Sequence, residues 1–307
     1  MFDLYFAGYF NKNTEDIIIQ NNFNQLLSNA NDRKKINNFI EHKKSGNWKG
    51  KLLIDSGAFS VHRSGKTINL DEYIDYLNKN HEYFDLYIQL DDIPGKWGIP
   101  QTKEELAMSP IKTWKNYLYM RSKLIEPDKL LPVFHQGEDF KYLKQMLEYE
   151  DSNKNKIKYL CISSNKNLDA TARFNWYKKC YEIIETSSNP NVKVHSLGTQ
   201  SENHCSLIPF TSVDATSWIL SAGNGNIYTK WGTICVSDRQ MAKKDHIVNN
   251  ISFDLFNSYV ESKGFKFEDL TKSANKRVEW NCLYLGNWAI NERQYKGVKS
   301  FKVNRLF

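Results

Sequence analysis

Eight short runs rich in Ile, Leu, Val and Tyr recur along the chain, and most are followed by a polar turn and then a longer segment of helical period. The runs are "DLYFAG" (3–8), "KLLID" (51–55), "DLYIQLD" (85–91), "LLPVFH" (130–135), "IKYLCIS" (157–163), "VKVHSLG" (192–198), "FTSVD" (210–214) and "NIYTKWG" (226–232). Helical spacing is read at 14–28, 70–80, 110–124, 139–150 and 168–186. Strands that alternate with helices pair in parallel, because each helix carries the chain back across the sheet. Eight such units predict an α/β fold of the (β/α)8 TIM-barrel type over residues 1–236. A doubly wound open sheet is the other architecture, but no dinucleotide G-x-G-x-x-G or phosphate-loop G-x-x-x-x-G-K-[ST] follows any of the runs.

Beyond residue 237 the strand pattern gives way to "FDLFNSYVESKGFKFEDL" and "ANKRVEWNCLYLGNWAINE". In the second, Val278, Leu283, Leu285 and Trp288 share a helical face that would pack on the barrel. Residues 237–307 are therefore expected to form a helical extension, and its charge sets it apart. Of the formal net charge of +7, an excess of six lies between Lys230 and Phe307, with 14 Lys and Arg against 8 Asp and Glu. Arg293, Lys296, Lys299, Lys302 and Arg305 follow the last acid, with Tyr295, Phe301 and Phe307 between them. Basic side chains displace counterions from phosphates and aromatic ones stack on bases, so Lys230, Arg239, Lys296, Lys299 and Lys302 are candidate nucleic-acid contacts, with a solvated basic tail as the plain alternative.

With no long apolar run and no basic-plus-apolar leader at "MFDLYFAGYF", the expected setting is the cytoplasm, without a membrane partner. Cys161, Cys180, Cys205, Cys235 and Cys282 are scattered and contain no C-x-x-C pair, which predicts reduced thiols and no metal site.

Several runs end on polar residues where a plain turn would do. Asp55 closes the second run, Asp91 and Asp92 the third, His135-Gln136-Gly137 the fourth, and Asp214 the seventh. On a barrel such ends converge on one mouth. An acid there can simply cap a helix or form a turn. Two carboxylates facing one pocket also suit displacement at an anomeric carbon, one attacking while the other moves protons. The glycines of "DSGAF" and "HQGED" would let backbone approach a flat ring.

These segments resemble the tRNA-guanine transglycosylase superfamily of base-exchange barrels. "DSGAF" (55–59) resembles its D-S-G-G-F, "LDD" (90–92) stands where the family has F-D-E, and "HQG" (135–137) is similar to V-Q-G-G. "HSLGT" (195–199) resembles G-V-G-T, "SVDATSW" (212–218) stands at I-D-M-F-D, and "GNGNIYTKWG" (223–232) resembles R-N-G-x-x-F-T-x-x-G. The motifs run in family order over residues 55 to 235.

The resemblance implies Asp214 as nucleophile and Asp55 as general acid/base. It places Asp91, with Asp92 competing for the role, on the amide edge of the base and Gln136 on its carbonyl. Ser56, Gly57, Phe59, Gly137 and Gly198 would complete the base pocket. The family's glycine-rich pocket segment falls near "CISS", where Ile162 or Ser163 stands instead. Trp97, Trp218 and Tyr228 are candidates to stack on an extruded base or to pack in the core. The zinc-binding cysteines of the tRNA enzymes have no counterpart after Cys235, so no zinc subdomain is expected. That departure makes the chain look more like relatives in phages and bacterial DNA-modification clusters, which exchange guanine in DNA for a free 7-deazaguanine such as 7-cyano-7-deazaguanine. The implied activity needs no cofactor. For a phage-encoded protein, the site of action would be the host cytoplasm. A homodimer is possible by the same resemblance. Exchange on tRNA, a barrel that binds nucleic acid without catalysis, and a glycoside hydrolase remain alternatives.

Overall fold

The computed structural model describes residues 2–9, 11–95, 99, 101–165, 167–199, 201–244, 246–247, 252–292 and 295–297. Nine short strands make one sheet: β1 (Asp3–Ala7), β2 (Asn24–Ser28), β3 (Leu52–Asp55), β4 (Leu86–Ile88), β5 (Leu130–Leu131), β6 (Val133–His135), β7 (Tyr159–Ser163), β8 (Lys193–Leu197) and β9 (Ser212–Ala215). Their order is β5-β4-β3-β2-β1-β9-β8-β7-β6, and every pairing is parallel. The two outermost strands of that order are halves of one segment, parted by Pro132, which has no N–H for a ladder. The segment still bonds both ways: Gln89 N–H donates to the Leu131 carbonyl (3.1 Å) and Cys161 N–H to the Pro132 carbonyl (2.7 Å). The sheet therefore closes on itself as a (β/α)8-type barrel.

Period-two alternation divides each strand between two cores. Tyr5, Leu26, Leu53, Ile88, Leu131, Val133, Tyr159 and Cys161 fill the barrel, while Phe6, Leu27, Ile54, Tyr87, Phe134, Ile162 and Val213 face the helices. Each fully buried side chain of this size contributes about 1.5–3 kcal/mol. The helices are α1 (Lys12–Gln20), α2 (Arg33–Lys44), α3 (Ala58–Arg63), α4 (Leu70–Lys79), α5 (Lys103–Lys123), α6 (Phe140–Glu148), α7 (Ala170–Thr186), α8 (Glu202–Leu207) and α9 (Ser217–Gly223). Several begin on side-chain caps: Asn69 for α4, Thr102 with Glu105 for α5, Asp139 for α6 and Asp169 for α7.

Two elements depart from the sequence reading. The helix expected over 14–28 stops at Gln20. Asn21 caps it, Asn22 turns into the left-handed region at φ 52°, and the chain re-enters as β2, between β1 and β3. The run at 226–232 is not the eighth barrel strand. It forms β10 (Asn226–Thr229), which pairs antiparallel with β11 (Gly232–Cys235) in a separate hairpin. That hairpin shares a core with the C-terminal helices α10 (Phe253–Ser262), α11 (Phe267–Lys272) and α12 (Ala274–Asn287), built on Ile227, Ile234, Val236, Phe256, Val260, Leu270 and Trp280.

Helix α12 faces two ways. Val278, Cys282, Leu285 and Trp288 join the main core, with Leu283 half-buried beside it. The buried Arg277 guanidinium donates to the carbonyls of Ala222, Leu270 and Thr271, tying α9 to the extension. Gly286 lies so close to Phe23 that a Cβ would fall 2.2 Å from the ring.

Candidate active site

The chemistry collects at the C-terminal ends of the barrel strands, on the inward face. Leu53 and Val133 point inward, so two residues further on Asp55 and His135 do too, at the rim. Asp214 stands at the end of β9 and is 7 % exposed. None of these acids serves as a helix cap of the kind Asp139 and Asp169 provide.

Asp214 is held from one side. His195 Nε2 lies 3.1 Å from its Oδ1 and Gly198 N–H donates to the same oxygen at 3.0 Å, while Oδ2 accepts no hydrogen bond among the described residues. Gly198 sits at φ +64°, a left-handed turn that aims its N–H back at the carboxylate. Behind His195 the chain of bonds continues through the barrel. Tyr159 O–H donates to Ser212 Oγ (2.6 Å), and Ser212 Oγ is 2.6 Å from His195 Nδ1. A bare ring nitrogen would repel a carboxylate oxygen, so the pair is satisfied with the His195 proton on Nε2, facing Asp214, and Ser212, which accepts from Tyr159, then has its own proton available for Nδ1.

Asp55 lives in a different environment. Burial, then the charges of Asp91 and Asp214, push its carboxyl up to about 7, against the hydrogen bonds that Gly57 and Ser56 N–H give it. The shift also reports that three carboxylates from β3, β9 and the end of β4 share this mouth. Gly57 adopts φ +88°, and a Cβ there would meet Ser28 Oγ at 2.5 Å and Ala30 Cβ at 2.6 Å, so the loop after β3 is pressed onto the loop after β2. Ser56 is fully buried and accepts from Ala58 N–H (3.3 Å).

A cation offsets these acids. His135 lies between Asp91 and Glu138, with Nε2 3.0 Å from Asp91 Oδ2 and Nδ1 3.0 Å from Glu138 Oε1. Burial works against its charged form, but the two carboxylates outweigh it and raise the imidazole to about 10. Beneath the rim, the Cys161 thiol is pushed up by burial and by Asp214, Asp55 and Asp91, which makes it a neutral floor.

Of the residues singled out from sequence, Asp55, Asp91, Asp214 and Gly198 come together here, with Ser163 at the adjoining end of β7. Others point elsewhere. Asp92 turns to α5, where its carbonyl accepts from Ser109 and its carboxylate sits 3.6 Å from Lys112. The Gln136 side chain is taken by the loop before α7, its Oε1 accepting from Asn165 N–H (3.0 Å). Gly137, at φ +112°, is exposed, and Phe59 is 60 % exposed on α3. Ile162 faces the helix layer. Trp218 is fully buried against Phe6 at 5.1 Å, which removes it as a stacking platform, and Tyr228 packs on Tyr284. Lys230, Arg239 and Lys296 are exposed; Trp97, Lys299 and Lys302 lie outside the described residues.

His195, Ser212, Tyr159, Glu138 and the cationic role of His135 were not assigned from sequence. The signal was present: in "VKVHSLG" a histidine stands in mid-strand, two residues before Leu197, on the side that faces into the barrel. Cavities also lie away from this mouth: one of 710 Å³ opens at the opposite end of the barrel beside Tyr5 and Tyr159, one of 510 Å³ lies in the extension, and one of 480 Å³ lies between α5 and α6 beside Trp114 and Tyr149. No protein-family model matches the chain and no curated protein matches it, so the site is read from its own geometry.

Proposed function

We propose that this protein is a base-exchange transglycosylase that replaces guanine in DNA by a free 7-deazaguanine, such as 7-cyano-7-deazaguanine, through a covalent glycosyl-aspartate. The observation that carries the reading is the split between two carboxylates at one mouth. Asp214 has one oxygen tied by His195 and Gly198 and the other open, as a nucleophile needs, while Asp55 has its proton affinity moved to near neutrality, as an acid/base needs.

In the first half-reaction Asp214 Oδ2 attacks the sugar carbon as its bond to guanine N9 breaks, and Asp55 gives its proton to the departing base. The incoming 7-deazaguanine then loses its ring proton to Asp55. Its freed nitrogen attacks the same carbon, expels Asp214 and restores both side chains. Two displacements return the original configuration. The base has to leave the helical stack to reach the mouth, at a cost of a few kcal/mol. Asp91, held by His135, stands at the mouth to accept from the amide and amino edge of the base.

Incubation with labelled guanine or labelled 7-cyano-7-deazaguanine and, in parallel, duplex DNA, single-stranded DNA and tRNA tests the proposal. Label is expected in DNA and absent with Asp214→Ala. Label in tRNA alone would reassign the polymer, and label in none of them would leave a barrel without exchange activity.

A further inference from the structure

The 510 Å³ cavity of the extension is lined by Lys230 and Lys263 together with Tyr259, Trp280, Tyr284 and Asn287, and among the described residues no acidic one lines it. Lys230 stands at the tip of the β10–β11 hairpin. That tip is fixed by Thr229 Oγ1, which donates to the Gly232 carbonyl (2.8 Å) and accepts from Trp231 N–H (3.1 Å). The Lys230 ammonium lies 4.5 Å from the centre of the Trp231 ring and 5.3 Å from that of Tyr259; the Lys263 ammonium reaches the same Tyr259 ring at 5.9 Å. Two cations thus converge on one aromatic ring. Neither pairs with a carboxylate among the described residues.

Elsewhere on the same extension Lys272 pairs with Glu268 and Lys276 with Glu279. Two ammoniums left open above a wall of tyrosine and tryptophan offer what a phosphate joined to a flat base requires: charge for the one, a face for the other. Trp231, 38 % exposed beside them, widens that face. The wall itself is rigid, since Trp280 Nε1–H donates to the Tyr228 carbonyl (2.7 Å) and its ring packs edge-on with Tyr259 and Phe265.

We infer that this cavity is a nucleotide subsite that holds one phosphate-and-base unit of a single strand, a docking point outside the barrel mouth. The inference rests on the reading above only in taking a nucleic-acid strand as the partner. The shared chemistry could also come from a free mononucleotide, and the experiment separates the two.

Binding of a fluorescein-labelled oligodeoxythymidine is followed by anisotropy at several salt concentrations, with thymidine monophosphate and phosphatidylglycerol vesicles as competitors. The Lys230→Gln/Lys263→Gln double variant is expected to bind the strand about tenfold more weakly, with a salt slope shallower by about 0.7 for each phosphate that no longer meets an ammonium. Lys230→Arg/Lys263→Arg restores both, and the melting temperature stays unchanged. A mononucleotide that competes as well as the strand, and loses its hold in the same variant, assigns the subsite to free nucleotides. An unchanged affinity and slope in the double glutamine variant overturn the inference, as do vesicles that outcompete the strand. Asp214→Ala protein is expected to keep strand binding intact, so failure of base exchange and failure of strand docking are separate results.

Discussion

His195 Nε2 and Asp214 Oδ1 lie 3.1 Å apart at the inner rim of the barrel, and the histidine is fully buried. The pair joins neighbouring strands β8 and β9, and Ser212 and Tyr159 hold the imidazole from behind. His195→Phe would keep a ring in the space while removing the donor to Asp214 and stranding the Ser212 hydroxyl. A hydrogen bond to a charged group is worth about 1.5–3 kcal/mol, so the rate of guanine release should fall about ten- to a hundredfold with KM little changed. His195→Gln, which keeps a donor, should recover part of that rate. Steady-state kinetics of both variants check this; a fall in KM and kcat together would point to a displaced loop instead.

The raised carboxyl of Asp55 has consequences in rate and in stability. Release of guanine needs Asp55 protonated, so the single-turnover rate of the first half-reaction should fall as pH rises through about 7. Uptake of the new base needs the ionised form and should fall in the other direction. Asp55→Asn should abolish both limbs.

For folding, the affected species is the ionised carboxylate. The folded state binds this proton at about 7 and the unfolded chain near 3.8, so Asp55 stabilises most below about 4, and that contribution is lost as pH rises toward 7. The Asp55→Asn protein should therefore gain thermal stability relative to the natural chain as pH climbs from 5 to about 8. Melting temperatures that stay parallel across that range would contradict the placement of Asp55 beside Asp91 and Asp214.

His135 is the cation that makes a cluster of acids tolerable. Replacing it by Gln leaves Asp91 and Glu138 facing each other without a charge between them, and like charges raise one another's proton affinity. The acid limb of the pH–rate profile should move above 7 in His135→Gln. The loss of melting temperature in His135→Gln should be greatest below pH 6.5 and should shrink as pH rises from 6.5 to about 10, because the imidazole is raised from 6.5 to about 10 and its stabilising contribution is given up across that window. A profile identical to that of the unaltered protein would show that His135 does not act on Asp55.

Barrel architecture was legible because apolar runs alternating with helical segments admit few parallel arrangements, and the strand-end acids were legible because an unneeded carboxylate stands out. The same reading misplaced two strands, for local reasons. "NQLLS" follows an apolar helix without a proline or glycine, and only the left-handed turn at Asn22 separates them. "NIYTKWG" has every mark of a strand, but period-two alternation does not reveal which sheet a strand will join, and β10 finds its partner in β11. Side-chain orientation was the other blind spot. Gln136 and Asp92 sit beside site residues in sequence yet turn to the α7 and α5 sides, since one step along a strand end reverses the facing.

Gly57 offers a test of the mouth that replaces no titrating group. Its φ of +88° disfavours any L side chain, and the two approaches below 3 Å that a Cβ would make are to Ser28, the last residue of β2, and to Ala30 on the loop that follows. Gly57→Ala should cost about 1–3 kcal/mol in urea unfolding from backbone strain and overpacking together. Its effect on chemistry should exceed its effect on stability, because Gly57 N–H bonds Asp55 Oδ2 at 3.0 Å and any shift of the loop moves that carboxyl. Relieving the clash with Ser28→Gly in the same chain should return part of the activity if pressure from the β2 loop is what displaces Asp55. If the double variant is no more active than Gly57→Ala alone, the strain lies in the backbone of residue 57 itself.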